Sequence, residues 1–501
     1  MHAYNSCMTA SAHRHELYTV DQVRALDRRA IHELGIPGYE LMQRAAAAAL
    51  VCLRQHWPRA TRMAVYCGPG NNGGDGFLLA ALARDAGLHA EVIALDESRG
   101  DDAIRARREY EHGGGIVRTW HEGFEFPEAD VHVDALFGTG LQRALAPDVA
   151  ELVRRMHATG APVLALDVPS GVNADTGAVP GEAVRADVTV TFIAGKRGLY
   201  TSDAPGYVGH VQWEPLGLPV TLWEGATPDA RLLQPSTLPA RPRQAHKGNN
   251  GHVLAIGGEH GTAGAIRLCG EAALHAGAGL VSVATRADNL VALNSARPEL
   301  MAHGVHGPQE LESLLPRATV LAVGPGQGQG AWGHALWLTA LEAGKAMVLD
   351  ADGLNLLALE PRPLKGETVI TPHPGEAARL LGCDTAAIAA DRFGAVRELA
   401  RTFDTVAVLK GAGSLVADPQ ARVSVCPWGN PGMASGGMGD LLTGVIAALL
   451  AQGCGAWEAA CLGVSLHARA GDLAARHHGE RGLMASDLLE PLRLILNGKE
   501  S

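Results

Sequence analysis

The run Gly68-Pro69-Gly70-Asn71-Asn72-Gly73-Gly74-Asp75-Gly76 joins a short apolar stretch, Met63 to Cys67, to a helical one, Phe77 to Ala86. Glycines allow a sharp turn and close approach to a ligand, and a helix start gathers free N–H donors suited to phosphate. The spacing fits G-x-G-x-x-G, and Asp96 ends the next apolar run, where a ribose-binding carboxylate would sit. That pattern invites a dehydrogenase reading. Yet two asparagines and an aspartate fill the turn, and a carboxylate placed against a pyrophosphate would repel it. Such a loop suits chemistry on a substrate, or the holding of a cation.

Two further acid-bearing loops follow strand candidates: Asp134-Ala135-Leu136-Phe137-Gly138-Thr139-Gly140 and Asp167-Val168-Pro169-Ser170-Gly171. In a parallel sheet the loops after strands open on one edge, so distant residues converge. Oxygens of Asn72, Asp134 and Ser170 make a candidate hard-cation site, and Asp167 a candidate proton shuttle. Any one such loop is ordinarily a turn or a helix cap. The three together point to function.

In the second half, Lys410-Gly411-Ala412-Gly413-Ser414 follows a β-branched run. Asn430-Pro431-Gly432-Met433-Ala434-Ser435-Gly436-Gly437-Met438-Gly439-Asp440 then opens a long apolar helix. Its glycines free several N–H groups where the helix dipole favours negative charge. An aspartate at the rim of that cradle can take a proton from a hydroxyl while the amides steady a transferring phosphoryl group. No G-x-x-x-x-G-K-[ST] occurs, which excludes a Walker-type loop. Thr371-Pro372-His373-Pro374-Gly375-Glu376 reads as a rigid turn holding His373 and Glu376 towards a ligand. Asp350-Ala351-Asp352 reads equally as a helix cap or a magnesium contact, and Ala245-His246-Lys247-Gly248, Gly257-Gly258 and Val323-Gly324-Pro325-Gly326 as close-approach loops.

The positioning elements alternate. Strands are expected at Met63–Cys67, Ala90–Leu95, Val131–Asp134, Val163–Leu166 and Val188–Phe192, and again at His252–Ile256, Val281–Ala284, Val320–Val323, Ala346–Leu349, Thr368–Ile370 and Thr405–Leu409. Their β-branched, nearly continuous apolar character suits parallel strands covered on both faces. Thr19 with Gln22 marks a capping-box start for a helix to about Leu34, and an alanine-rich helix runs from Glu40 to Gln55. Terminal helices are expected at Gly439–Ala451, Ala456–Arg476 and Ala485–Leu494. Prolines recur between Leu216 and Arg243, which reads as an interdomain linker. The fold class is α/β, with two three-layer αβα domains.

At 501 residues the chain exceeds one core, and its net charge of −11 argues against nucleic acid or anionic membrane as a partner. Eight scattered cysteines, with no C-x-x-C pair, read as reduced buried thiols. With no apolar leader and no run long enough to span a bilayer, a cytoplasmic protein is expected.

The three loops of the first half closely resemble those of NAD(P)H-hydrate epimerase domains, over residues 15–220. The resemblance implies a Rossmann-like domain that interconverts the R and S forms of hydrated NADH or NADPH with bound potassium. By carry-over, substrate touches Asn71, Asn72, Gly73, Gly74 and Asp75, then Gly138, Thr139, Gly140, Leu141, Gln142, Arg143 and Ala144, and Asp167. Potassium is held by Asn72, Asp134 and Ser170, with Asp167 the acid/base and Asp75 a weaker candidate.

Residues 240–497 resemble the ribokinase-like ADP/ATP-dependent NAD(P)H-hydrate dehydratases. The likeness rests on His246-Lys247-Gly248, Gly261 to Ile266, Gly277 to Val281, His373-Pro374-Gly375-Glu376 and Asn430 to Asp440. It implies phosphorylation of the ring hydroxyl and loss of phosphate. Hydrate would contact Ala265, Gly326, His373 and Asp440, the last as base; nucleotide would contact Lys410, Gly411, Ala412, Gly413, Ser414 and Gly439. The resemblance favours ADP over ATP, brings magnesium with the nucleotide, and suggests a homo-oligomer. Two alternatives stay open: a small-molecule kinase, which would have no use for an epimerase-like half, and a non-catalytic interaction or RNA-binding module, which an intact Asn71–Asp75 argues against.

Overall fold

A computed structural model describes residues 13–499, which divide into two compact units between Arg231 and Leu232. Residues 1–12, read above as lacking an apolar leader, lie outside the described residues.

In the first unit seven strands follow the order Val117–Thr119, His89–Ala94, Arg62–Cys67, Val131–Ala135, Val163–Leu166, Val188–Phe192, His210–Glu214, each neighbouring pair parallel. Alternate residues of a strand face opposite sides. Met63, Val65 and Cys67 enter one core with helices Val20–His32, Gly38–His56 and Asn71–Asp85; Ala64 and Tyr66 enter another with helix Pro147–Ala158. The chain leaves Arg62–Cys67 towards one side of the sheet and returns on the other at Val131–Ala135. The loops after these two strands therefore part and open a crevice at the C-terminal edge.

The second unit repeats the plan. Its strands run Met301–Gly304, Leu280–Thr285, His252–Ile256, Val320–Val323, Ala346–Leu349, Thr368–Ile370, Val406–Leu409, all parallel, then Leu415–Ala417 and Val423–Val425, both antiparallel. Val253, Ala255, Val320 and Ala322 pack with helices Ala263–His275, Met438–Ala451 and Ala456–His478. Leu254, Ile256, Leu321 and Val323, on the other face, are equally buried. Both units are the expected three-layer α/β architecture.

Three readings change. The helix after the glycine-rich run begins at Asn71, not Phe77, so Asn71 to Gly76 form its first turns. Small residues make this possible: a Cβ at Gly73 would lie 1.9 Å from the Gly68 carbonyl oxygen, and one at Gly68 only 1.7 Å from that of Leu136. The glycines bring backbone against backbone rather than backbone against ligand. Secondly, part of the expected linker belongs to the first core, where Leu216, Leu218, Leu222 and Trp223 are buried. Proline frequency marks irregular backbone, not exposure. Thirdly, edge strands Val117–Thr119, His210–Glu214 and Met301–Gly304 were not expected; half-exposed, they lack the continuous apolar run of a central strand.

The Gly68 contact sets a clear expectation. Gly68→Ala overpacks a backbone contact and is expected to cost about 3 kcal/mol or more. Gly140→Ala, where a Cβ would meet nothing within 4 Å, should stay within about 0.5 kcal/mol of the parent in urea unfolding.

Candidate functional site

The first crevice is a cavity of about 860 Å³. Asn71, Asn72, Asp75, Gly138 to Arg143 and Asp167 line it. Gly73, Gly74 and Ala144 do not: Gly73 faces the Gly68 carbonyl, a Cβ at Gly74 would strike the Met42 sulfur at 2.6 Å, and Ala144 lies beside Gly181. Asp96 is exposed, bonded to Arg99, and lies outside the lining, so no ribose-binding carboxylate stands where G-x-G-x-x-G would want one.

Asp134 lies one residue before the end of the central strand Val131–Ala135 and is fully buried. Its Oδ1 accepts from Ser170 Oγ at 2.7 Å and Leu136 N at 3.1 Å, and its Oδ2 from Ser170 N at 2.7 Å. Burial pushes its carboxyl up to about 6, against the pull of the Ser170 and Leu136 hydrogen bonds. Ser170 Oγ also accepts from Phe137 N at 2.9 Å, which ties the two loops together. Both amide atoms of Asn72 are buried without a partner in the protein. A Cβ at Gly138 would lie 3.5 Å from Asn72 Cγ and 3.2 Å from Asp167 Oδ2, so Asn72, Asp134, Ser170 and Asp167 are gathered around residues 137–138. The ligating atoms are all oxygens, and the unsatisfied Asn72 Oδ1 is one that a hard cation would complete.

Asp167 sits with φ +67° in a tight turn closed by Val168 N to Leu166 O at 2.8 Å. On the adjacent strand Ile193 makes a matching turn, φ +65°, closed by Ala194 N to Phe192 O at 2.7 Å. Positive-φ γ-turns at non-glycine residues are strained, and they cluster where side-chain placement is functional. Between them lies Lys196, only 1% exposed, whose Nζ donates to Asp167 Oδ1, to Thr191 Oγ1 at 2.9 Å and to Phe192 O at 2.8 Å. Asp167 Oδ2 is left towards the cavity. Asp75 is held well above the usual carboxylate range by burial, then by Asp167 and Asp27. Asp27, on helix Val20–His32, also lines the cavity and is raised by burial and by Asp167, against Lys196. The sequence reading missed Asp27 and Lys196. Lys196 follows a recognised strand end, which was a usable signal; Asp27 lies mid-helix and carried none.

In the second unit the start of helix Met438–Ala451 meets the C-terminal strand edge. Its first N–H groups have no partner within the helix. Asp440 is half-buried in the first turn, and its carboxyl is pushed up to about 7 by burial and by Asp350, against Lys410. Asp350, 1% exposed, follows strand Ala346–Leu349. Although it occupies the N-cap of helix Ala351–Leu359, its side chain makes no cap bond. Instead Oδ1 accepts from Lys410 Nζ at 2.7 Å and Oδ2 from Thr443 Oγ1 at 2.8 Å. The capping alternative therefore fails for its side chain. Asp352 instead ties the helix to the 328–329 loop, accepting from Gly328 N at 2.8 Å.

Lys410 to Ser414 form the turn of an antiparallel hairpin. The Lys410 ammonium points inward to Asp350, with Glu376 Oε2 at 3.7 Å, while Ser414 Oγ donates to Gly411 O. Gly439 approaches this group closely: a Cβ there would lie 3.2 Å from Lys410 Nζ. His373 caps helix Pro374–Leu381, its Nδ1 accepting from Gly375 N at 3.0 Å and Glu376 N at 3.3 Å. Nδ1 as acceptor puts the ring proton on Nε2, which lies 3.3 Å from Glu376 Oε1. Glu376 turns inward and is buried, contrary to the expectation that both side chains face a ligand; burial raises it to about 7. Gly326 O accepts from Thr262 Oγ1 at 2.7 Å, which brings Gly326 beside the start of the helix bearing Ala265. The loops at Gly257-Gly258 and Pro325-Gly326 approach each other, through Gly258 N to Pro325 O and Glu259 N to Gly326 O.

Among the described residues no helix is long and apolar enough to cross a membrane, and the seven cysteines are free.

The family model for NAD(P)H-hydrate dehydratase matches residues 253–493, and that for the YjeF-related protein N-terminus matches 38–198. The bifunctional NAD(P)H-hydrate repair enzyme Nnr of Coxiella burnetii is 45% identical over 487 residues, covering 96% of this chain and 99% of that protein. The enzyme of the same description from Escherichia coli is 44% identical over 490 residues, covering 96% and 94%. That from Vibrio cholerae is 43% identical over 490 residues, covering 96% and 98%. Two α/β units, each matched by its own family model, and relatives matched over nearly the whole chain place it in one family: it belongs to the bifunctional NAD(P)H-hydrate repair enzymes.

Proposed function

We propose that the first unit equilibrates the R and S hydrates of NADH and NADPH through Asp167 and Asp75, and that the second dehydrates the S form through Asp440 with ADP as phosphoryl donor. Inverting one hydroxyl-bearing ring carbon needs a proton taken and a proton given. Paired titratable groups whose environments differ supply both roles. Asp167 is ion-paired with Lys196 and suits the base; Asp75, whose carboxyl burial holds well above the usual range, suits the acid.

In the second unit Asp440 takes the proton of the ring hydroxyl as its oxygen attacks the terminal phosphorus of ADP. The phosphoanhydride bond breaks and AMP leaves. Departure of phosphate from the ring carbon, with loss of a proton from the neighbouring carbon, restores the dihydronicotinamide. The amides at the start of Met438–Ala451 face the charge on the moving phosphoryl group. Magnesium arriving with the nucleotide would supply further neutralising charge. The observation that carries this reading is Asp440 itself: a carboxyl poised near neutrality at a glycine-rich helix start. Mixed hydrate epimers with ADP should regain the absorbance of the reduced nicotinamide completely. Recovery that stalls at one epimer would count against the first unit's role, and no recovery against the second's.

Asn72, Asp134 and Ser170 would hold potassium, whose charge would settle the buried carboxylate of Asp134. A ligand at 100 times its dissociation constant adds about 2.7 kcal/mol of stability. Melting in potassium chloride should therefore exceed melting in tetramethylammonium chloride at equal ionic strength, and Asn72→Ala should abolish the difference. Equal melting of the parent chain in both salts would contradict the site.

A further inference from the structure

We propose that Asp350 is a positioning residue of the dehydratase reaction, which through Lys410 and Thr443 fixes the helix start carrying Asp440 and sets the charge around it. The inference rests on the reading of Asp440 as base.

Thr443 lies three residues after Asp440, so both stand on one face of the same helix. The 2.8 Å bond from Thr443 Oγ1 to Asp350 Oδ2 pins that face to the end of strand Ala346–Leu349. The other carboxylate oxygen binds Lys410 at 2.7 Å, and Lys410 comes from the end of strand Val406–Leu409. One buried side chain thus joins two strand ends to the helix start.

Stability alone is a weak reason for this arrangement. A buried ion pair gains little over well-packed apolar residues, because both charges lose their water. An N-cap aspartate would ordinarily turn back onto its own helix, and Asp350 does not. Its pairing with Lys410 places one negative and one positive charge near Asp440. Gly439 is the gap through which they reach it: a Cβ there would lie 3.2 Å from Lys410 Nζ and 3.5 Å from Asp350 Oδ2.

The remaining groups about Asp440 are few. Asp352, on the helix after Asp350, adds a weaker negative charge; Glu376 faces Lys410 from helix Pro374–Leu381. Cys269, on helix Ala263–His275, is an uncharged thiol held up by burial. His467, on helix Ala456–His478, bonds the Met438 backbone and is kept neutral by burial. Asp350 raises the Asp440 carboxyl and Lys410 lowers it, so the two partners act on the base in opposite senses.

The test is the pH dependence of kcat for ADP-driven dehydration on the full chain, with urea unfolding of the same preparation reporting the fold of the second unit. In the parent, rate should rise with pH through about 7, as Asp440 ionises. A charge a few ångströms away moves a carboxyl by about 1 pH unit or more. Asp350→Asn should therefore move the rising limb down by about 1 unit, and Lys410→Met should move it up by a similar amount. A packing defect would lower the rate at every pH and shift neither. An unmoved limb in a folded Asp350→Asn overturns the proposal. Should that variant not accumulate, Thr443→Val decides: a plateau kcat down about tenfold with KM for ADP within about twofold supports the tether, and an unchanged kcat overturns it. Asp440→Asn run alongside separates the two readings. If it still dehydrates, the base assignment falls; if it is inactive while the limb of Asp350→Asn stays put, only the role of Asp350 falls.

Discussion

Asp440→Asn is expected to lower ADP-driven dehydration by about 10²–10⁴-fold, the usual contribution of a general base. The amide keeps the shape of the side chain and its place in the first helical turn, so the fold should survive. It cannot accept the hydroxyl proton. Because the loss is of chemistry and not of binding, KM for ADP should change little and kcat should carry nearly the whole effect. Epimerisation should continue at the parent rate, seen as R and S hydrates equilibrating by chromatography without nucleotide. Retained dehydration would remove Asp440 from the mechanism.

The second large effect is expected at Asp167. Asp167→Asn should slow epimerisation by about 10²-fold or more, with ADP-driven turnover of S-hydrate unchanged. Asparagine is the right substitution for a physical reason. It tolerates the left-handed backbone at φ +67° better than most residues and can still accept from Lys196. Either substitution removes the counter-charge of a fully buried ammonium; Asp167→Ala also removes its acceptor, an added cost of about 1–3 kcal/mol that would confuse instability with lost chemistry. Urea unfolding of the two variants should show that gap. Parent-like epimerisation by a folded Asp167→Asn would move the base elsewhere.

Central strands were legible because burial on both faces writes an unbroken apolar run: Val163–Leu166, Val188–Phe192, His252–Ile256 and Val320–Val323 lie where the residues alone put them. The Thr19 capping box was legible too, with Thr19 N to Gln22 Oε1 and Gln22 N to Thr19 Oγ1 both present. Local pattern fixes local structure. Gly73 and Gly74 show where pattern stops: a glycine needed for backbone packing and one needed for ligand approach look alike in sequence. Asp27 and Lys196 are the complementary case, since only the folded sheet edge brings a mid-helix acid and a strand-end base into one cavity. Asp350 was seen as a residue but not in its role, because its partners Lys410 and Thr443 lie 60 and 93 positions away.

The paired kinks at Asp167 and Ile193 bear on how freely this half can be redesigned or can diverge. A loop library meant to admit a different heterocycle can vary the 139–143 wall, whose glycine at 140 has open space around it, but not Gly138, which sits against Asp167 and Asn72. It cannot vary 167 or 193 at will, because each must adopt a backbone shape that most residues resist, and the lysine wedged between them depends on both. Evolvability here is lopsided: part of one loop has room to drift, while the strand ends beside it are anchored by their own backbone.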